Sequence, residues 1–386
     1  MINISIFWHF FILGLFSFGG PIAHIGYFRK KFVEELKWLN DQEFSKIVAL
    51  SQFLPGPSSS QVGFTIGLKK GGIFGAIFAF IAFTFPSFLL LYLAATFQNI
   101  YENSSVIYTL MGGLKLFAVV IVADATFSMF NSLCKTTLSK TTLSKIIFVF
   151  ATLFLIFNQS FFAQILVLVV SGLVALFFIK EKNETKITYQ KPYILPLVIF
   201  FILLIFLPFF ANQDKLLSLF NSFYQVGSFV FGGGHVVLPL IKSNINIDEN
   251  SFLVAYSLAQ AVPGPMFTIA SYIGVVAFEE SPFLGALIST FAIFLPGFLL
   301  ILAFYKSFES YSTNPTISKI VMGINASVVA ILFSVLVTIV IPSGILNIYD
   351  LIFAILGFFM IRKFKISILL LILFYCGYGF IRSLYV

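Results

Sequence analysis

Residues 51–57 read SQFLPGP and residues 259–265 read AQAVPGP. Each sits inside a stretch that otherwise reads as apolar helix, and each follows a glutamine by three residues. A Pro-Gly-Pro in a helix removes two backbone donors, and each ring clashes with the carbonyl one turn back, so the helix breaks there. In hydrocarbon such a break is tolerated only where the freed groups line a protein cavity or bind something. The environment of the two breaks therefore decides what they are for.

That environment is a membrane. Of the 386 residues, 59% are hydrophobic and 10% charged, with a mean hydropathy of +1.03. A soluble domain could not hide that much apolar surface, and runs of about 20 apolar residues, enough to span a bilayer, recur along the chain. The 53 phenylalanines read as apolar filling. The net charge of +8 lies in short inter-helix clusters such as RKK (29–31), KEKNETK (180–186) and RKFK (362–365). Those are topology signals, not a nucleic-acid surface. Cys134 and Cys376 suggest neither a metal site nor a disulfide framework, and no cofactor is implied. The first apolar run lacks a basic flank and a cleavage site and reads as a retained helix.

The chain is internally duplicated. FSFGGPIAHIGYF from Phe16 has a partner in FVFGGGHVVLPLI from Phe229, and each precedes a PGP, at Pro55 and at Pro263. Gly75, Pro86 and Gly113 recur as Gly285, Pro296 and Gly323, at an offset of 210, against 208 at the PGP and 213 at the FGG. The expected organisation is a first repeat over residues 1–180, a connector with a linking helix over 181–210, and a second repeat over 211–386.

Counting apolar runs gives about thirteen transmembrane helices if both PGP segments cross. With a cytoplasmic amino terminus, the lysines of CKTTLSKTTLSK, the Lys180 cluster and RKFK fall inside, and Glu279-Glu280 falls outside. One loop resists, since residues 29–46 carry five basic and four acidic residues and would lie outside. Re-entrant PGP hairpins are the alternative; they bring that loop inside but move Glu279-Glu280 inside and RKFK outside. The expectation is thirteen crossings with two inverted, antiparallel repeats. Inverted repeats with broken helices in matching places are the layout of secondary transporters, whose substrate lies at the repeat interface. A helix starting after the break, at Ser58 or Met266, aims unpaired N–H groups at such a cavity and suits an anion.

Side chains near the breaks add chemistry. Gln52 and Gln260 either donate to an oxyanion or satisfy the opened carbonyls. His24 and His235 follow the two FGG motifs and serve either as a charge and proton carrier or as an interfacial hydrogen bond. Lys115 stands mid-helix in GGLKLFAVVIVADA, where a lysine is costly and faces a partner or cavity; its repeat counterpart is Asn325. Asp124 is either a proton-coupling carboxylate or a residue at the cytoplasmic end, the second being preferred.

The stretches FGGPIAHIGYFRKKFVEELKWL, ALSQFLPGPSSSQVGFTIGLKKGG, FGGGHVVLPLI and AQAVPGPMFTIASYIG resemble the two signature regions of the chromate ion transporter family in its long, two-domain form. The resemblance implies a multi-pass protein of the bacterial plasma membrane with antiparallel halves that exports chromate, driven by the membrane potential or a proton gradient. It implies functional roles for Gly19, Gly20, Pro21, His24, Arg29, Gln52, Pro55, Gly56, Pro57 and Lys115 in the first half. In the second half it implies Gly232, Gly233, His235, Gln260, Pro263, Gly264 and Pro265, and Ser58 joins them as the first residue after the break. Pro21 and Arg29 are assigned to loop or gating roles and the rest to substrate binding. Lys30 stands where the family leads one to expect a second arginine, and Asp124 where an amide is more usual.

The expected function is secondary active transport of a tetrahedral oxyanion by alternating access, foremost chromate efflux. The alternatives are a sulfate or other oxyanion importer and a passive anion channel. An intramembrane enzyme would need a nucleophile and base or a metal-ligand set, and the sequence offers none. The partners on this reading are a small inorganic oxyanion (chromate or sulfate) and the lipid bilayer, with no nucleic acid; proton coupling and a homodimer stay open.

Overall fold

A computed structural model describes residues 2–101, 105–134, 138–179, 191–231, 234–308 and 314–382, and every regular element among them is helical. Among the described residues, five helices are long and apolar enough to cross a membrane. The chain divides into two compact units, each assembled from both sequence halves: residues 1–95, 185–237 and 262–314 form unit 1, and residues 96–184, 238–261 and 315–386 form unit 2.

Unit 1 begins with α1 (Ile2–Phe16), α2 (Gly20–Phe28) continued by a π-helical turn (Arg29–Glu35), α3 (Asp41–Phe53) and α4 (Ser58–Tyr101). Asn40 starts α3 with a capping box, its Oδ1 accepting from the Glu43 amide at 2.8 Å while Glu43 Oε2 accepts from the Asn40 amide at 3.2 Å. Helix α4 is kinked at Gly71-Gly72, where Gly72 takes φ +64°, so a short arm (58–70) is followed by a long arm (73–101).

Contacts at the ends of these helices tie them to one another. The Lys69 ammonium pairs with the Glu43 carboxylate, and Lys70 sits 5.2 Å over the Trp38 ring. At Gly71 the backbone lies against Asn3 and Ile6. Groups in contact cannot lie on opposite faces of a hydrocarbon layer about 30 Å thick. Residues 3–71 therefore begin and end together, running out and back first through α1 and α2 and then through α3 and the short arm of α4. The 13 residues of α3 reach only about 20 Å, and the two breaks supply the reversals. Ring packing of Phe10 on Phe32 (4.7 Å between centroids) and Phe28 on Phe83 (5.0 Å) fills the space between these hairpins, as the reading of phenylalanine as filling requires.

The rest of unit 1 is α8 (Ile194–Phe210), α9 (Lys215–Phe229), α12 (Ile269–Ala277) and α13 (Pro282–Phe304). The long arm of α4 and α13 run antiparallel: Phe80 meets Phe294 at 5.1 Å, while Tyr92, further along α4, meets Phe283, earlier in α13, at 5.7 Å. Lys215, at the start of α9, pairs with Glu280, just before α13, at 2.5 Å. The stretch 215–280 thus also begins and ends at one place.

Unit 2 holds α5 (Ser105–Leu133), α6 (Leu138–Phe157), α7 (Phe161–Phe178), α10 (Val237–Asn244), α11 (Glu249–Ala261), α14 (Pro315–Val335), α15 (Ile341–Gly344), α16 (Ile348–Arg362) and α17 (Ile368–Arg382). Repeat-equivalent glycines make repeat-equivalent contacts here: Gly113 of α5 lies on the Tyr375 carbonyl of α17, and Gly323 of α14 lies on the Ser171 carbonyl of α7. Arg382 donates to the Gly112 carbonyl at 2.9 Å and pairs with the fully buried Asp350 at 3.0 Å. Tyr378 donates to the other Asp350 oxygen at 2.7 Å, so the buried carboxylate is satisfied on both sides. Phe150, Phe162 and Phe177 are largely exposed on α6 and α7, an apolar surface that suits lipid.

Candidate functional site

Both breaks and the described parts of both FGG motifs meet inside unit 1. At the first break α3 ends at Phe53, Leu54 is extended, and Gly56 takes φ +123°; at the second, Gly264 takes φ +98°. Only glycine adopts these angles without strain. The Gly56 N–H donates to the Val230 carbonyl at 2.7 Å, and the Gly264 N–H donates to the Ser17 carbonyl at 2.9 Å. Ser17 and Val230 occupy the same place before the two FGG motifs. Each PGP is therefore held by the FGG segment of the other half, in two equivalent hydrogen bonds.

Close packing repeats the exchange. A Cβ on Gly56 would stand 3.0 Å from Gly297 Cα, and one on Gly264 would stand 2.8 Å from Ser87 Oγ; Ser87 and Gly297 each follow the matched prolines Pro86 and Pro296. Around the first FGG, Gly19 and Gly20 have φ +100° and +79°, and Pro21 opens α2, where its missing N–H costs nothing. A Cβ on Gly20 would be 3.7 Å from the Met266 sulfur, and one on Gly234 would be 3.0 Å from the same atom.

His24 is 1% exposed, with Nε2 3.1 Å from the Ser17 carbonyl and Nδ1 3.3 Å from Ser59 Oγ. A carbonyl only accepts, so Nε2 carries the proton, and a neutral ring accepts from the Ser59 hydroxyl at Nδ1. The Ser17 carbonyl thus receives two donors, one from its own FGG hairpin and one from the opposite PGP.

The amide that answers the break is not Gln52, which is exposed. It is Gln61, fully buried in the first turn of α4, whose Nε2 donates to the Pro55 carbonyl at 2.9 Å and to the Gly297 carbonyl at 3.2 Å. Proline 57 leaves the next turn's amides to start a helix, and Gln61 is the position one turn inside it; that spacing was the available signal. Two acceptors fix its orientation, and its buried Oε1 has no described partner, nor have the buried hydroxyls of Ser17 and Ser60. Orphaned polar atoms beside a helix start, with amides of Ser58 to Ser60 lacking acceptors one turn back, mark a place where a polar ligand or water belongs. At the second break Thr268 donates its hydroxyl to the carbonyl of Pro265, the counterpart of Pro57 and not of Pro55, at 2.6 Å.

The remaining residues singled out in the sequence fall elsewhere. Gly232 and Gly233 lie outside the described residues. His235 is half-buried in a 3-10 turn (Gly234–Val236). Gln260, buried, belongs to unit 2 and bonds the Tyr256 hydroxyl. Lys115 also belongs to unit 2, where Nζ donates to Asn250 Oδ1 at 2.5 Å and the neighbouring Leu114 carbonyl accepts from Ser257 at 2.7 Å. Arg29 is exposed, donating to Glu34 at 2.8 Å and Asp41 at 2.7 Å, which fastens the π-turn to the start of α3. Asp124 pairs at 2.6 Å with Arg362 of the RKFK cluster, and that guanidinium lies 4.5 Å from the Phe127 ring centre.

Against this geometry, a family model described as chromate transporter matches the chain twice, over residues 4–177 and 217–380. An uncharacterized transporter of Methanocaldococcus jannaschii is 28% identical over 98% of this chain and 94% of its own length. A probable chromate transport protein of Synechococcus elongatus is 28% identical over 83% of this chain and 80% of its own. A chromate transport protein of Pseudomonas aeruginosa is 25% identical over 85% and 79%. No solved structure matches.

Proposed function

The chain belongs to the chromate transporter family, and from that premise we propose that it is a secondary active transporter that exports a tetrahedral oxyanion, chromate first, across the plasma membrane by alternating access. One observation carries this reading. The paired hydrogen bonds Gly56 to Val230 and Gly264 to Ser17 bring the two breaks together, beside the orphaned polar atoms of Ser17, Ser60 and Gln61. Relatives named as chromate transport proteins supply the cargo class.

On this reading the first turn of α4 binds the anion through its amides and the Ser60 hydroxyl. Gly19, Gly20, Pro55, Gly56, Pro57, Pro263, Gly264 and Pro265 shape the pocket, His24 holds the Ser17 carbonyl in place, and Lys115 is required for transport. The two repeats are inverted, which the antiparallel run of the matched helices α13 and the long arm of α4 supports.

The same reading gives a membrane topology of nine crossings. Residues 3–71 and 215–280 each start and finish on one side, so the crossings are the long arm of α4, α5, α6, α7, α8, α13, α14 with α15, α16 and α17. Nine crossings with a cytoplasmic amino terminus place residues 29–46, the Lys180 cluster and RKFK inside, and Glu279-Glu280 outside. The loop that resisted thirteen crossings then obeys the charge rule, because the FGG stretch turns back as well as the PGP stretch.

The test is uptake of labelled chromate, sulfate and molybdate into inverted vesicles, with and without a proton gradient. Saturable, gradient-dependent chromate accumulation is expected, and Lys115→Met abolishes it while leaving the protein inserted and monodisperse. Flux that neither saturates nor follows the gradient would replace the transporter with a channel.

A further inference from the structure

Unit 1 contains a cavity of ≈510 Å³ lined by Glu43, Lys46, Leu50, Lys69, Lys306 and Phe308, among others. Three ammonium groups and one carboxylate share its wall, a formal balance of +2 in a chain with only 10% charged residues. Lys69 is paired with Glu43, and Lys306 lies 5.4 Å from the Tyr193 ring centre, so the basic rim is held in place and not loose. The cavity leads toward the first break: Leu50 lies five residues before Pro55 on α3, and the ring of Phe53, next but one to Pro55, meets Phe308 at 5.7 Å. That ring contact links the cavity wall at Phe308 to the segment that runs into the PGP.

We propose that this chamber is the cytoplasmic loading port for a doubly charged oxyanion, gathering it through Lys46, Lys69 and Lys306 before it reaches the Phe53–Phe308 contact. The assignment rests on the transporter reading above and on the topology that puts residues 43, 69 and 306 inside. Low-dielectric walls and like-signed side chains concentrate an oppositely charged solute, and salt weakens the effect. Glu43, paired with Lys69, offsets one of the three ammonium charges.

The experiment measures initial rates of chromate uptake into inverted vesicles carrying the wild type, Lys46→Gln, Lys306→Gln or Glu43→Gln, at low and high ionic strength. Each lysine variant is expected to raise KM about fivefold at low salt, the Coulomb effect of one ammonium about 8 Å from a dianion in water. The effect resides in KM and not in kcat, Glu43→Gln shifts KM the opposite way, and high salt erases all three differences. Unchanged KM at low salt, or a loss confined to kcat, overturns the port. A second measurement uses wild-type membranes, where saturating sulfate slows acylation of Lys46 and Lys306, read by mass spectrometry, but not of the exposed Lys215. Absence of that protection overturns the port whether or not the variants fold. If protection occurs while wild-type vesicles carry no oxyanion, the port stands and the transporter reading falls.

Discussion

Gly264 gives its backbone N–H to the carbonyl of Ser17 at 2.9 Å, and its counterpart Gly56 does the same to Val230 at 2.7 Å. Both glycines hold left-handed backbone, with φ +98° and +123°. Alanine at either position strains the backbone by about 1–3 kcal/mol and drives a Cβ against Ser87 or Gly297. Gly56→Ala and Gly264→Ala should each lower the thermal midpoint in detergent and slow transport about tenfold or more, since about 1.4 kcal/mol is tenfold in rate. Equal damage from both is the signature of the exchange; damage from one alone would deny it.

Glutamines 52 and 61 should separate cleanly. Gln61→Leu leaves the carbonyls of Pro55 and Gly297 without their donor, and an unsatisfied buried group costs about 1–3 kcal/mol. Gln52→Leu, at an exposed position, should stay within about 0.5 kcal/mol. Chemical unfolding of the two purified variants checks the order, and a reversed order removes Gln61 from the break.

Two loops discriminate nine crossings from thirteen. In a background lacking Cys134 and Cys376, Lys37→Cys should react with an impermeant maleimide from the cytoplasmic face and Asn246→Cys from the external face. Both positions are exposed. Thirteen crossings reverse both results.

The Glu43 carboxyl is held below its ordinary value of 4.5, first by the Lys69 hydrogen bond and then by the Asn40 amide. A depressed carboxyl adds stability that is complete above its unfolded value and disappears as pH falls through the folded one. The stability gap between wild type and Glu43→Gln should therefore be constant at neutral pH and close below about pH 4.5. Because the pair is partly exposed, the gap should also shrink in salt; calorimetry across pH and ionic strength reads both.

Much of this was legible in the chain itself. The PGP and FGG repeats and the apolar helices follow from spacing and composition, because backbone breaks in lipid need a protein cavity or ligand around them, and the family follows from the resemblance of the motif stretches themselves. The hairpins were not legible, since a 23-residue apolar stretch such as 46–68 has the length of a span, and its doubling back shows only in contacts such as Lys69–Glu43 and Lys70–Trp38. Gln52 and Gln260 drew notice by their matched positions, yet side-chain direction at a break depends on how the next helix leaves it. Gln61, one turn inside that next helix, has no glutamine counterpart in the second half, where Ile269 stands at the matching offset of 208, so no repeat comparison singles it out.

Because each broken segment finds its acceptor in the opposite half, neither half can complete its own backbone pairing. A protein made of one such half would have to associate with a second copy to reach the same arrangement. Severing this chain between the halves should therefore yield fragments that work only when synthesised together.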